Sequence, residues 1–152
     1  MTFKRVGTPC VGICSTTYGD TVCRGCKRYL HEIVNWNRLG DSEKQVVWSR
    51  LDSFLALIVG NYVEVLAPEV LRQQLEYQKI RIQVELSPTG WIPELLRVSG
   101  EKPLDWASYG LQLTAEGQRY NPRDLFLKIS QEYYDLSSAH YQRYYQQPLN
   151  EH

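Results

Sequence analysis

The sequence predicts a mainly α protein with a small β component (α+β), in which an N-terminal four-cysteine, metal-bound knuckle leads into a helical hairpin. Three observations predict it. Apolar residues recur at helical spacing through several stretches, two short runs alternate at strand spacing, and all four cysteines fall within "CVGICSTTYGDTVCRGC", residues 10–26. With 152 residues, 43% of them hydrophobic, the chain can bury one sizeable core, with room for a small appended module. We divide it into a head, residues 1–59, holding the cysteines and two helices, and a mostly helical, tyrosine-rich region, residues 60–152.

Residues 1–9 form an irregular lead in which Pro9 stiffens the chain just before Cys10. From Cys23 onward "CRGCKRYLHEIVNWNRLG" places Tyr29, Leu30, Ile33, Val34 and Trp36 on one helix face, and Gly40 supplies a C′ stop. Cys26 then falls in the first turn of that helix, and Arg28 and Glu32, four apart, pair along it. Ser42 and Gln45 fit a capping box opening a second helix with the stripe Val47, Leu51, Phe54, Leu55 and Ile58. A turn this short should pack the two as a hairpin or a corner, with Trp36 and Trp48 bracing them.

A third helix opens at "APEVLRQQLEY" with Pro68 in its first position. "KIRIQVEL" alternates Ile80, Ile82, Val84 and Leu86 and reads as a strand, with a continuing helix as the alternative. "SPTG" is turn chemistry, "WIPELLRVSG" a short helix or irregular apolar piece, "EKPLDWASYG" a loop, and "LQLT" a second short strand. Asn121-Pro122 starts a last helix through "RDLFLKISQEYYDLSSAHYQRYY", which Ser137 can restart if it breaks.

The formal charge is zero, which argues against a generally basic nucleic-acid binder. Residues 1–50 nonetheless carry eight Lys/Arg against four Asp/Glu, and residues 51–152 nine against thirteen. Four thiolates on a divalent ion add roughly two negative charges, so the basic surround suits a thiolate site. "MTFKRVGTPC" has no apolar run of a secretory signal, and "FLALIVGNYVEVLA", broken at Gly60-Asn61 and carrying Glu64, is too short and interrupted to span a bilayer. The expected location is the cytoplasm, with no membrane association. Clustered cysteines there point to metal more than to disulfides.

The spacing is Cys10-x3-Cys14-x8-Cys23-x2-Cys26. A C-x2-C turn puts two sulfurs on one metal, Gly25 permits the tight path that amide-to-sulfur bonds need, and "YGD" can fold the second pair back onto the first. One Zn2+ held by Cys10, Cys14, Cys23 and Cys26 is the expected cofactor. One iron–sulfur cluster is the alternative, although the spacing matches neither common ferredoxin pattern. Arg24, Lys27 and Arg28 form the expected partner surface, a basic helix start beside the metal.

"TPCVGICSTTYGDTVCRGCKRYLHEIVNWNRLGDSEKQVVWSRL" resembles the bacterial DUF1289 family, small proteins often labelled predicted Fe–S proteins. The resemblance rests on Pro9, Cys10, Cys14, Gly19, Cys23, Gly25, Cys26, Arg28, Glu32, Ile33, Trp36, Asp41 and Glu43, and covers about residues 8–51. It implies that the four cysteines form one site and strengthens the iron–sulfur alternative. Tyr29 stands where many members have threonine. The remainder is similar to longer members with a C-terminal extension.

His31, five residues beyond Cys26, is rotated about 140° from it on a helix and is poorly placed as a ligand. Tyr133, Tyr134, Tyr141, Tyr144 and Tyr145 crowd the last helix, a composition suited to a half-buried helix or a protein interface. No phosphate loop, H-E-x-x-H pair or G-x-S-x-G elbow is present, and a four-thiolate site leaves no open position for hydrolysis. The expected role is therefore non-enzymatic metal binding that supports a protein-interaction surface. Electron transfer or cluster handling is one alternative. A zinc-dependent nucleic-acid adaptor using Lys4, Arg5, Arg24, Lys27 and Arg28 is another.

Overall fold

The computed structural model describes residues 6–12 and 14–146, so Lys4 and Arg5 lie outside the described residues. Five α-helices and one two-stranded antiparallel sheet carry the described chain, as the spacing predicts. No helix among the described residues is long and apolar enough to cross a membrane. The chain divides into two compact units. One takes the residues up to Leu51 and those from Tyr133 onward, and the other is Asp52–Glu132. The last helix thus contributes its C-terminal half to the cysteine-bearing unit.

In the first unit a single 3-10 turn, Ser15–Tyr18, ends at Gly19, whose φ of 104° only glycine adopts without strain. Helix α1 runs Leu30–Asn35 and tightens into a 3-10 turn over Trp36–Arg38. It starts later than predicted. Val22 and Tyr29 form an antiparallel bridge, and Lys27 takes a left-handed φ of 65°, so residues 23–28 are a closed turn and Cys26 precedes the helix. The inner face of α1 is also not the predicted stripe. Tyr29 and Trp36 are buried, but Leu30 and Val34 face solvent and Glu32 is buried instead. Helix α2, Asp41–Val59, begins one residue ahead of the predicted Ser42 cap, with Asp41 and Glu43 in its first turn, where carboxylates favour the helix dipole. Val47, Trp48 and Leu51 bury its part of the first unit.

In the second unit, strand β1, Val63–Val65, pairs with β2, Leu111–Leu113, in the register Val63↔Leu113 and Val65↔Leu111. The predicted "LQLT" strand is thus present, but its partner is not "KIRIQVEL". Helix α3, Pro68–Tyr77, closes in a left-handed turn at Lys79. The Ile80 amide reaches back to Leu75 O at 2.9 Å and the Lys79 amide to Glu76 O at 3.1 Å, a Schellman closure. Residues 80–86 then run irregularly. The Gln83 carbonyl, which a ladder would need, instead accepts the Leu86 amide and the Trp91 indole, and Val84 is exposed. Helix α4 is Ile92–Ser99, and α5 runs unbroken over Pro122–Tyr141, so Ser137 restarts nothing. Asn121 caps α5, its Oδ1 accepting the Asp124 amide at 2.8 Å.

The core of this second unit is aliphatic: Leu71, Leu75, Ile92, Leu95, Leu96 and Leu125 are all essentially solvent-free. Burial of each stabilises the unit by roughly 1.5–3 kcal/mol relative to exposure. Gly110 sits at its tightest backbone approach, with φ 68°, its carbonyl accepting the Leu66 and Ala67 amides, and a Cβ there standing 2.6 Å from Ala67 O. Gly110→Ala should lower stability by about 2 kcal/mol or more, through left-handed strain plus the clash. Gly40→Ala, where a Cβ meets open space, should change it by less than about 0.5 kcal/mol. Urea denaturation of both variants checks the contrast.

Candidate metal centre

Cys23 and Cys26 are buried in the turn that precedes α1. Two backbone hydrogen bonds close this turn, Cys23 N–H to Arg28 O at 2.9 Å and Lys27 N–H to Cys23 O at 2.8 Å. The left-handed Lys27 makes the closure possible at a strain of roughly 1–3 kcal/mol. Burial pushes the Cys23 thiol up. Hydrogen bonds to its sulfur from the backbone amides of Cys26, Ser15 and Gly25, and from the Cys26 side chain, outweigh that and bring it down to about 7. The Cys26 thiol goes the other way. Burial raises it, against Arg28, whose Nε lies 3.2 Å from the Cys26 sulfur. The Arg28 guanidinium also lies over Trp36, 4.8 Å from the ring centre.

Cys10 and Cys14 are half-buried. The lead that carries Cys10 is tied to α2 by the Trp48 indole, which donates to Gly7 O at 2.9 Å. The Cys10 sulfur accepts the Gly12 amide at 3.4 Å, and the Cys14 sulfur lies 2.7 Å from Thr16 Oγ1. Cys14 is linked to the second pair through its neighbour. Ser15 gives its amide to the Cys23 sulfur, and its Oγ accepts the Arg24 amide at 2.8 Å.

The structure therefore brings Cys23 and Cys26 together and tethers the segment carrying Cys14 beside them. All four cysteines are free thiols. Among the described residues no three His, Cys, Asp or Glu side chains are gathered as around a metal ion. The donor set on Cys23 is what suits a metal here. Three amides on one buried sulfur stabilise the thiolate, the form that binds metal.

Of the expected partner-surface residues, only Arg24 presents its charge, with a side chain 62% exposed. Lys27 and Arg28 are 6% and 4% exposed. The Lys27 ammonium donates to Arg24 O at 2.5 Å and Gly25 O at 3.1 Å, and its pKa is lowered by burial against the pull of Cys26 and Cys23. It fills the turn rather than facing a partner. His31 is exposed and packs against Tyr145, apart from the sulfurs.

Sequence reasoning missed a second constellation. Glu32 does not pair with Arg28. Its carboxylate accepts the Tyr29 amide at 2.8 Å and two bonds from the Arg50 guanidinium at 2.5 and 2.8 Å. That guanidinium lies 4.0 Å from the centre of the Tyr29 ring. The Tyr29 hydroxyl stands 2.6 Å from His140 Nδ1 and donates to Ser137 O at 3.3 Å. Burial pushes the Tyr29 phenol up to about 12, against Arg50. The only signal in the sequence is Arg50 on α2, eighteen residues from Glu32, a separation no local rule connects.

Two predictions follow from this network. Arg50→Ala leaves the Glu32 carboxylate buried and unpaired and should cost about 3–5 kcal/mol, whereas Arg50→Met with Glu32→Leu should be near neutral. Chemical denaturation of the three proteins checks this. The second concerns pH. Burial holds His140 below its ordinary 6.5, Arg50 adding to the shift and Glu32 opposing it. A depressed histidine is protonated first in the unfolded chain, so its contribution is complete above 6.5 and declines as pH falls below it. Stability should fall as pH drops below 6.5, and His140→Gln should flatten that fall.

Fold and site define a small, mainly helical protein whose second cysteine pair is set in a buried turn ahead of a short helix. Residues 8–54 match the family described as "Protein of unknown function (DUF1289)", the family the cysteine pattern resembles. The chain is 47% identical over 45 residues to the uncharacterized protein YdhL of Escherichia coli (strain K12), and equally to that of Shigella flexneri. The matched stretch is 30% of this chain and 56% of each relative, so the chain spans about half the length of the curated relatives it matches. No solved structure matches the chain.

Proposed function

We propose that this is a non-catalytic metalloprotein of the cytoplasm in which Cys10, Cys14, Cys23 and Cys26 hold one structural zinc ion that stabilises the cysteine-bearing unit. The observation that carries this reading is the hydrogen bonding of the Cys23 sulfur by the amides of Cys26, Ser15 and Gly25. Such bonds spread the negative charge of a metal-bound thiolate and orient it. Cys26 completes the C-x2-C pair, with Arg28 balancing its charge through Nε. Cys10 and Cys14 supply the other pair, Cys14 through the Ser15 tether. When bound, zinc supplies cross-linking of the two pairs and folding free energy, with no open position for a substrate.

The test is metal and acid-labile sulfide analysis of protein expressed and purified without oxygen. One zinc per chain, no sulfide and no colour is the expected result. Stoichiometric iron and sulfide in a brown protein would overturn zinc in favour of a cluster, and no bound metal would overturn the site. Cys23→Ser should lose the metal and unfold the first unit. Retention of both would remove Cys23 from the ligand set.

A further inference from the structure

Charges withdrawn from water need opposite charges beside them, and the first unit meets this requirement unevenly. Arg50 has the Glu32 carboxylate, and the exposed Arg24 has Asp20. Lys27 and Arg28 are more deeply buried than either, and among the described residues neither pairs with a carboxylate. The Lys27 ammonium meets two backbone carbonyls and the Tyr133 ring, and the Arg28 guanidinium meets the Trp36 ring. These are dipoles and ring faces, which carry no net charge. What stands beside both cations is sulfur. Arg28 Nε lies 3.2 Å from the Cys26 sulfur, and the charges of Cys26 and Cys23 draw the Lys27 pKa back up against burial.

Both cations are also held in place. The left-handed backbone at Lys27 and the bonds to Arg24 O and Gly25 O tie its ammonium to the cysteine turn. Trp36, itself buried, backs the Arg28 guanidinium. Two buried cations without carboxylates set the charge that the sulfur centre has to carry. On a divalent ion, two thiolates leave no net charge, three leave about one negative charge, and four leave about two. Only the four-thiolate arrangement matches both cations, so the half-buried Cys10 and Cys14 count as thiolate ligands rather than bystanders.

We propose, on the reading that the cysteines bind one metal ion, that Lys27 and Arg28 are the counter-cations of a dianionic centre in which all four thiolates hold a divalent ion. They are positioning residues that act through the sulfurs. Together they set the specificity of the site, favouring a divalent ion over a trivalent one, whose tetrathiolate carries about one negative charge less.

The test uses the full chain, prepared without oxygen, reduced, stripped of metal and titrated with Zn2+ against a chelator of known affinity. Lys27→Gln and Arg28→Gln should each weaken Zn2+ binding about 10–100-fold. Arg28→Lys keeps the charge and should recover most of the Arg28 loss. Arg24→Gln removes a cation that is exposed and already paired, and should bind as the unaltered chain does. Circular dichroism at saturating Zn2+ establishes that the variants are folded, and the Arg28 pair decides the matter if Lys27→Gln is not. Co2+ in place of Zn2+ should give the absorption of a tetrahedral four-thiolate centre. Loaded with a single iron ion, both glutamine variants should show a lower Fe3+/Fe2+ potential than the unaltered chain, because losing a cation favours the less negative Fe3+ centre. A change in packing alone has no such fixed sign. Equal Zn2+ affinity in the folded glutamine variants, Arg28→Lys as weak as Arg28→Gln, a spectrum of three or fewer thiolates, or potentials that do not fall would each overturn the proposal and leave metal binding standing. An unaltered chain that binds no Zn2+ overturns the metal-binding reading, and the counter-cations with it.

Discussion

A carboxylate and a guanidinium taken out of water are tolerable only together, and the first unit is arranged around keeping Glu32 and Arg50 paired. The bidentate bond fixes the start of α1 against α2, because Glu32 also holds the Tyr29 amide. With that amide held, Tyr29 is presented face-on to the Arg50 guanidinium, and its hydroxyl points at the last helix. One ion pair thus positions residues from three helices. It also explains why α1 exposes Leu30 and Val34 while burying a charge. The helix is turned so that Glu32 reaches Arg50, whose half of the buried pair would otherwise be left without its partner.

The cysteine turn obeys the same accounting of buried polar groups. A left-handed lysine is an uncommon choice, since glycine takes that conformation without strain and lysine does not. At residue 27 the side chain has a second task. Its ammonium satisfies the Arg24 and Gly25 carbonyls, which the tight turn would otherwise leave without donors, and it places positive charge near two sulfurs. Burial destabilises that charge, and the nearby Cys26 and Cys23 oppose the shift without cancelling it.

Much of this was legible in the residues, and the failures have definite causes. Helices α2 and α5 and the "LQLT" strand follow from periodicity and from Asn121-Pro122, signals carried by side chains near each other in sequence. The C-x2-C turn was readable for the same reason. The run Ile80–Leu86 alternates as a strand should, yet a strand exists only with a partner, and the three-residue β1 was too short to show a period. Cys26 was placed on a helix because "YLHEIVNW" is helical, but one non-glycine residue at positive φ delays the start by four positions. Glu32 was assigned to Arg28 by the i,i+4 rule, and tertiary burial overrode it with a better partner eighteen residues away. Local rules found the elements, and the long-range polar contacts that orient them lay beyond those rules.

The six residues from Arg24 to Tyr29 connect these themes by dividing their side chains between two tasks. Cys26 and Arg28, with Cys23 just before them, build the sulfur side, where Arg28 reaches the Cys26 sulfur. Arg24, Lys27 and Tyr29 build the side that meets the tyrosines of α5. The two sets share one backbone, closed by the bonds between Cys23 and Arg28 and between Lys27 and Cys23. A change in the sulfur pair that loosens either bond must move Lys27 from Tyr133 and Tyr29 from His140. A change in the helix contact must in turn strain the turn. Neither side can be rebuilt without the other, because one closed turn carries both.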